Sequence, residues 1–182
     1  RQFARQISGL AWSPKGKFLA IVDKDTPGSP RSIFLLDVET RVRRKLTAPP
    51  AGWMGDGLSV FSPDGRTLAF ARSRAAWPSD IYTLALSEGG DARGEPKPIT
   101  NDAKTIMGFD WTPDGRALVF ASDRGGVHAL WRVSASGGEP ERLSVGSDFC
   151  LWPAVSRRGG ASRTSSPRGI IISGAWPRPA RA

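Results

Sequence analysis

Phe61-Ser62-Pro63-Asp64-Gly65-Arg66-Thr67-Leu68-Ala69-Phe70-Ala71 runs from an aromatic residue through a tight turn into an apolar strand, and the chain uses the same pattern again. Trp12-Ser13-Pro14-Lys15-Gly16 and Trp111-Thr112-Pro113-Asp114-Gly115 are the other full copies, so Ser13, Ser62 and Thr112 stand 49 and 50 residues apart. A degraded fourth copy, 155–160, opens at Val155-Ser156, with its serine 44 residues after Thr112. Spacing this regular marks a repeat protein. The turn chemistry is explicit: proline presets the first central dihedral of a type I turn, aspartate suits the second, and glycine tolerates the left-handed conformation that follows. Each copy therefore predicts a hairpin bend.

After each turn the side chains alternate, with Leu19/Ile21, Leu68/Phe70 and Leu118/Phe120 in matching places. A period of two is the signature of a strand. Further on come Ser32–Asp37, Asp80–Leu84 and Ala129–Val133, apolar on both faces and so predicted to be strands covered on both sides. Lys45-Leu46-Thr47, Pro98-Ile99-Thr100 and Arg142-Leu143-Ser144 read as a short fourth strand of each unit. Four short antiparallel strands per unit describe a propeller blade. The predicted fold is all-β: a partial β-propeller over residues 1–155, with three four-stranded antiparallel blades and the start of a fourth.

These units resemble the WD40-like PD40 repeats of TolB-type β-propellers, over roughly residues 7 to 160. Ile33–Thr40, Lys45–Thr47 and Ala129–Gly138 also resemble propellers appended to bacterial winged-helix regulators and Ser/Thr kinases. The resemblance implies a noncatalytic sensory or scaffold propeller within a larger bacterial regulatory protein, placed outside the cytoplasm. Two alternatives stand beside it, a TolB-like periplasmic interaction protein and the propeller of a prolyl-oligopeptidase-like serine peptidase. An arc of three blades leaves its end sheets uncovered, which predicts an open or aggregation-prone chain whose natural partners include the remaining blades of a longer polypeptide.

Residues 156–182 break the pattern. They carry six arginines and no acidic residue, and taking those six from 26 basic residues leaves 20 against 17 acidic ones, a charge of +3 in place of +9. The pI of about 10.8 is thus largely a tail effect. Such a segment reads either as a disordered basic tail or as an out-of-frame product. In the frame that starts at each third base, codons compatible with Gly159 to Ser165 can spell Gly-Arg-Leu-Ala-Tyr-Val, and those of Ile170 to Pro177 can spell Leu-Trp-Arg-Val. Both strings are blade motifs, which predicts a frame change near codons 157–160.

Nucleic acid is not expected as a direct ligand. The one basic cluster of the blades, Arg41-Val42-Arg43-Arg44-Lys45, has no interleaved aromatics and reads as a solvated hairpin loop. No stretch approaches the roughly 20 apolar residues of a membrane-spanning helix. Catalysis by this segment is not expected either: His128 is the only histidine and no G-x-S-x-G elbow occurs. Cys150 is alone, and Asp64, Asp80, Asp102, Asp114 and Asp123 are spread over different blades, so no metal or cofactor is expected.

The turn residues Ser13, Pro14, Gly16, Ser62, Pro63, Asp64, Gly65, Thr112, Pro113, Asp114 and Gly115 are assigned to structure. Trp12, Trp111 and Trp131 are expected to pack between blades. Trp53 and Trp77 instead lie in longer loops, with Met54, Asp56, Arg72, Arg74 and Asp80 beside them. Loops on a rigid scaffold generally provide binding. Trp53, Asp56, Arg72, Arg74, Trp77 and Asp80 are therefore the candidate contact residues for a protein partner or small ligand.

Overall fold

A computed structural model describes residues 9–144 and 151–156, together with the strand residues 165–166 and 169–172. The regular structure among these residues is all β, and the repeats set its rhythm. In the first turn Ser13 accepts the Phe18 N–H on its hydroxyl at 2.9 Å. In the second Ser62 does the same for Thr67 at 2.9 Å, and in the third Thr112 for Ala117 at 3.0 Å. The closing glycines Gly16, Gly65 and Gly115 sit at φ 71°, 72° and 66°, where a Cβ is strained. Sequence and geometry agree here residue for residue.

The first blade comprises β1 (Leu10–Trp12), β2 (Phe18–Asp23), β3 (Ser32–Asp37) and β4 (Arg43–Lys45), paired in that order and antiparallel. The second has β5 (Gly55–Phe61), β6 (Thr67–Ser73), β7 (Pro78–Ala85) and β8 (Lys97–Pro98). The third has β9 (Lys104–Trp111), β10 (Ala117–Ser122), β11 (Ala129–Ser134) and β12 (Glu141–Arg142). Blades two and three also touch edge to edge, Pro78 opposite Thr105 and Ser79 opposite Lys104, so they form one continuous eight-stranded sheet.

The fourth strands lie upstream of their expected places. β4 stops at Lys45, β8 at Pro98 and β12 at Arg142, so Thr47, Thr100 and Ser144 fall outside. The physical reason is visible in the first two blades. There the Thr47 and Thr100 hydroxyls accept the N–H groups of Ile33 and Ile81, at 2.8 and 2.9 Å, so a side-chain oxygen replaces the next backbone acceptor and ends the ladder.

Burial follows the alternation. Ala20, Ile33 and Leu35 of blade one pack against Phe61, Leu68, Phe70 and Leu84 of blade two. Ala69, Ile81 and Ile99 on the opposite side of blade two meet Ile106, Trp111, Leu118, Phe120 and Val133 of blade three. Each fully buried side chain of this size contributes about 1.5–3 kcal/mol relative to exposure, so the blades are held mainly face to face. Trp111 fits the interblade expectation: it is 4% exposed and donates from Nε1 to the Val60 carbonyl of blade two at 3.2 Å. Trp131 is half-buried against the same cluster. Trp12 departs from it, at 58% exposed, because no blade precedes it among the described residues.

The basic run 41–45 is also a correction, since Arg43–Lys45 is a strand whose cations are paired. Arg43 meets Asp23 at 3.1 Å, Arg44 meets Asp91 at 3.1 Å, and Lys45 meets Asp25.

Beyond blade three, β13 (Pro153–Val155) takes the place of a fourth inner strand, with the Val155 N–H on the Asp110 carboxylate at 2.8 Å. Within the stretch read as a basic tail, β14 (Ser165–Ser166) and β15 (Gly169–Ile172) are strands. β15 pairs parallel with β13 and antiparallel with β14, unlike the all-antiparallel order of a blade. Cys150, the turn expected after Ser156 and most of the shifted-frame motifs lie outside the described residues.

Candidate functional site

Antiparallel order sends each blade's chain back and forth between two ends. The Ser/Thr-Pro-x-Gly turns collect at one end. The connections from second to third strand, and from each blade to the next, collect at the other. The candidate contact residues all fall at this second, loop end, on blade two.

Asp56, Arg72 and Asp80 occupy one register row across β5, β6 and β7. Asp56 is fully buried, and Arg72 grips it with Nε to Oδ1 at 2.7 Å and Nη2 to Oδ2 at 3.0 Å. The guanidinium also lies over the Phe70 and Tyr82 rings, 5.3 and 5.0 Å from their centres. Asp80 accepts the Thr100 hydroxyl at 3.2 Å and the Ala103 N–H at 3.1 Å, which ties β7 to the connection into blade three. All three side chains are thus engaged within the scaffold.

The same device recurs in the other blades from different sequence positions. In blade one Arg43 lies 3.8 Å from the Phe34 ring centre and pairs with Asp23. In blade three Arg124 lies over Phe120 and Trp131 at 4.5 and 5.5 Å and meets Asp102 at 3.2 Å. Each blade therefore lays a guanidinium on an aromatic ring and anchors it with a carboxylate. Arg124 was not singled out from sequence, because it stands two residues past the position equivalent to Arg72 and takes its carboxylate from the interblade connection. Its side chain is only 5% exposed. Burial lowers its pKa from the ordinary value, and the carboxylates of Asp102, Asp80 and Asp123 oppose that shift.

The remaining candidates lie in the loops before β5 and between β6 and β7. Arg74 stacks on Trp53 with its guanidinium carbon 4.9 Å from the ring centre, and Met54 beside them is exposed. Trp77 is 74% exposed at φ 79°. A bulky residue in the left-handed region is uncommon, and the residue before a proline ordinarily takes an extended conformation. Trp77 stands immediately before Pro78, so the loop holds a large aromatic outward at a conformational cost. Arg74 and Trp77 are thus exposed at this end, with Trp53 half-buried under the Arg74 guanidinium.

Among the described residues, no group of three or more His, Cys, Asp or Glu side chains is placed to hold a metal ion. No helix among them is long and apolar enough to cross a membrane.

Stacked four-stranded antiparallel units, repeated turns at one end and varied loops at the other define a β-propeller repeat protein. The family model described as the TolB beta propeller domain (PD40) matches residues 3–166, and the chain belongs to that family. It is 33% identical over 147 residues to the uncharacterized protein Atu1656 of Agrobacterium fabrum, covering 79% of this chain and 46% of that protein. It is 35% identical over 96 residues to the uncharacterized peptidase YuxL of Bacillus subtilis, covering 50% of this chain and 15% of that protein. The crystal structure of TolB from Acinetobacter baumannii superposes with a TM-score of 0.64 at 32% identity, over 80% of this chain and 34% of that one. The chain thus spans less than half the length of each of these relatives.

Proposed function

We propose that this chain is the interaction arc of a larger propeller protein, binding a protein partner through the loop end of blade two without itself performing chemistry. The observation that carries this reading is Trp77, held outward in a strained backbone in the same loop as Arg74, which stacks on Trp53. Backbone strain clusters at functional sites, and exposed Trp and Arg are the residues that anchor interfaces. The likeness to TolB favours a TolB-like interaction protein working outside the cytoplasm. The likeness to YuxL supports a second reading, in which the same loop end faces a peptidase domain of the same polypeptide. The sensory-propeller reading gains no support from these relatives, none of which is described as a transcriptional regulator or kinase.

A photo-crosslinking residue at position 77 of the full-length protein, compared with one at position 114 on the turn end, tests the proposal in cells. An adduct to another polypeptide from position 77 alone supports the interaction reading. A crosslink within the same polypeptide supports the peptidase reading. Equal labelling from both positions overturns both.

A further inference from the structure

The turn end holds a second site. A cavity of about 290 Å³ opens between the turns of blades one and two, walled on its third side by the hairpin loop after β7. This is near the lower limit of small-molecule pockets, room for a body of benzene-ring size with a short polar arm. Its lining includes Phe18, Phe61 and Leu86, all buried, and the cations Lys15, Lys17 and Arg66.

The lining sets three cations against two carboxylates, and Lys17 also lies near enough to Asp37 to help lower its pKa. Asp64 is one of two acidic side chains in the lining, but its Oδ1 is taken by the Ser62 hydroxyl at 2.6 Å and the Arg66 N–H at 3.0 Å. The other, Glu88, reaches Arg66 only at 3.8 Å, both side chains being largely exposed. Lys15 and Lys17 form no salt bridge among the described residues, and the Lys17 Nζ lies 5.1 Å from the centre of the Phe18 ring.

Lys15 is the residue that makes this cavity distinctive. The equivalent position is Asp64 in the second turn and Asp114 in the third, where the carboxylate accepts the turn's own hydroxyl and the N–H two residues on. A lysine can accept neither bond, so the first turn forgoes them. A local rule broken without a structural gain points to function. Successive turns also nest closely: a Cβ on Gly65 would stand 3.2 Å from the Pro14 ring, so Lys15 is carried by a turn seated against its neighbour.

We propose that this cavity binds a small monocarboxylate with an apolar body, the carboxylate between Lys15, Lys17 and Arg66 and the body on Phe18, Phe61 and Leu86. The site is independent of the loop-end surface, so either can fail without the other.

The test is a ¹⁹F NMR titration of the chain with 4-fluorophenylacetate, run beside the neutral 4-fluorobenzyl alcohol and the cationic 4-fluorobenzylamine. Saturable binding of the acid alone is expected. Lys15→Asp installs the residue that the other two turns already carry, so the fold tolerates it, and it should weaken acid binding about tenfold or more because an attraction becomes a repulsion. Lys17→Gln serves as the second variant and should weaken binding without reversing charge. Absence of saturable binding, equal binding of acid and alcohol, or unchanged binding by both variants overturns the proposal. N-acetyl-alanyl-phenylalanine and its C-terminal amide then identify the source. Displacement of the probe by the acid form alone assigns the carboxylate to chain ends, and displacement by neither assigns it to free small acids.

Discussion

Arg72 meets Asp56 directly across the β5–β6 ladder, with two parallel hydrogen bonds of 2.7 and 3.0 Å to a carboxylate that has no exposure to solvent. Removing one member of such a pair leaves an uncompensated buried charge, at a cost of about 3–5 kcal/mol, whereas replacing both with apolar groups of similar volume is often neutral. Asp56→Ala should therefore destabilise by that amount, and Asp56→Ala combined with Arg72→Met should recover most of it. Urea unfolding of the two single variants and the double variant checks this. Additive losses would mean that the two side chains are not energetically coupled.

The two repeat-equivalent tryptophans should behave differently. Trp111 is buried between blades and bonded to Val60, so Trp111→Phe loses one hydrogen bond and some volume, about 1–3 kcal/mol. Trp12→Phe, on an open face, should change stability by less than about 0.5 kcal/mol. Thermal melts of both variants under one buffer condition make the comparison.

The turn aspartates should set part of the acid response. The Ser62 hydroxyl and the Arg66 N–H hold the Asp64 carboxyl below its ordinary value of 3.8, and the Thr112 hydroxyl, with the Arg116 N–H, does the same for Asp114. A carboxyl whose folded pKa is lowered adds stability that is complete above the ordinary value and is lost as pH falls through the folded one. Asp64→Asn with Asp114→Asn should thus flatten the decline in stability on acidification below that ordinary value. Denaturation midpoints measured between neutral pH and strong acid show it, and an unchanged slope refutes it.

The turn glycines give a graded series. Alanine at any of them pays for the left-handed backbone, about 1–2 kcal/mol. At Gly16 the added methyl finds open space, at Gly115 it comes to 3.6 Å from Pro63, and at Gly65 to 3.2 Å from Pro14. Gly65→Ala should therefore be the most destabilising of the three, with Gly16→Ala and Gly115→Ala similar to each other. Equal losses at all three would mean that the turns do not nest in solution.

Most of the fold was legible because its determinants are local. The proline, aspartate and glycine of Ser62–Gly65 fix a turn within four residues, and Leu68 and Phe70 declare their face by alternation. Tertiary facts were less accessible. That Thr47 and Thr100 end their strands depends on a hydroxyl reaching Ile33 and Ile81, 14 and 19 residues away. That Asp56 and Arg72 serve the scaffold depends on their being opposite across a ladder, and a sequence reading grouped them with Trp77 because all lie near one loop. The cavity went unnoticed although its signal was present: Lys15 interrupts a position that is aspartate in both sister turns. A departure within a repeat says where to look, and only the packing of two turns says that a space lies there.

Blades two and three pair along their strands at Pro78 with Thr105 and Ser79 with Lys104, whereas blade one is joined to blade two by side chains and by the Arg31–Gly55 bridge, with backbone bonds from the Arg31 N–H to Met54 at 3.1 Å and from the Asp56 N–H to Arg31 at 2.7 Å. The arc therefore has a seam. The carboxylate cavity lies in that seam, so an occupant would act as a rivet, and its arrival would register as slower exchange of the amide protons that flank it.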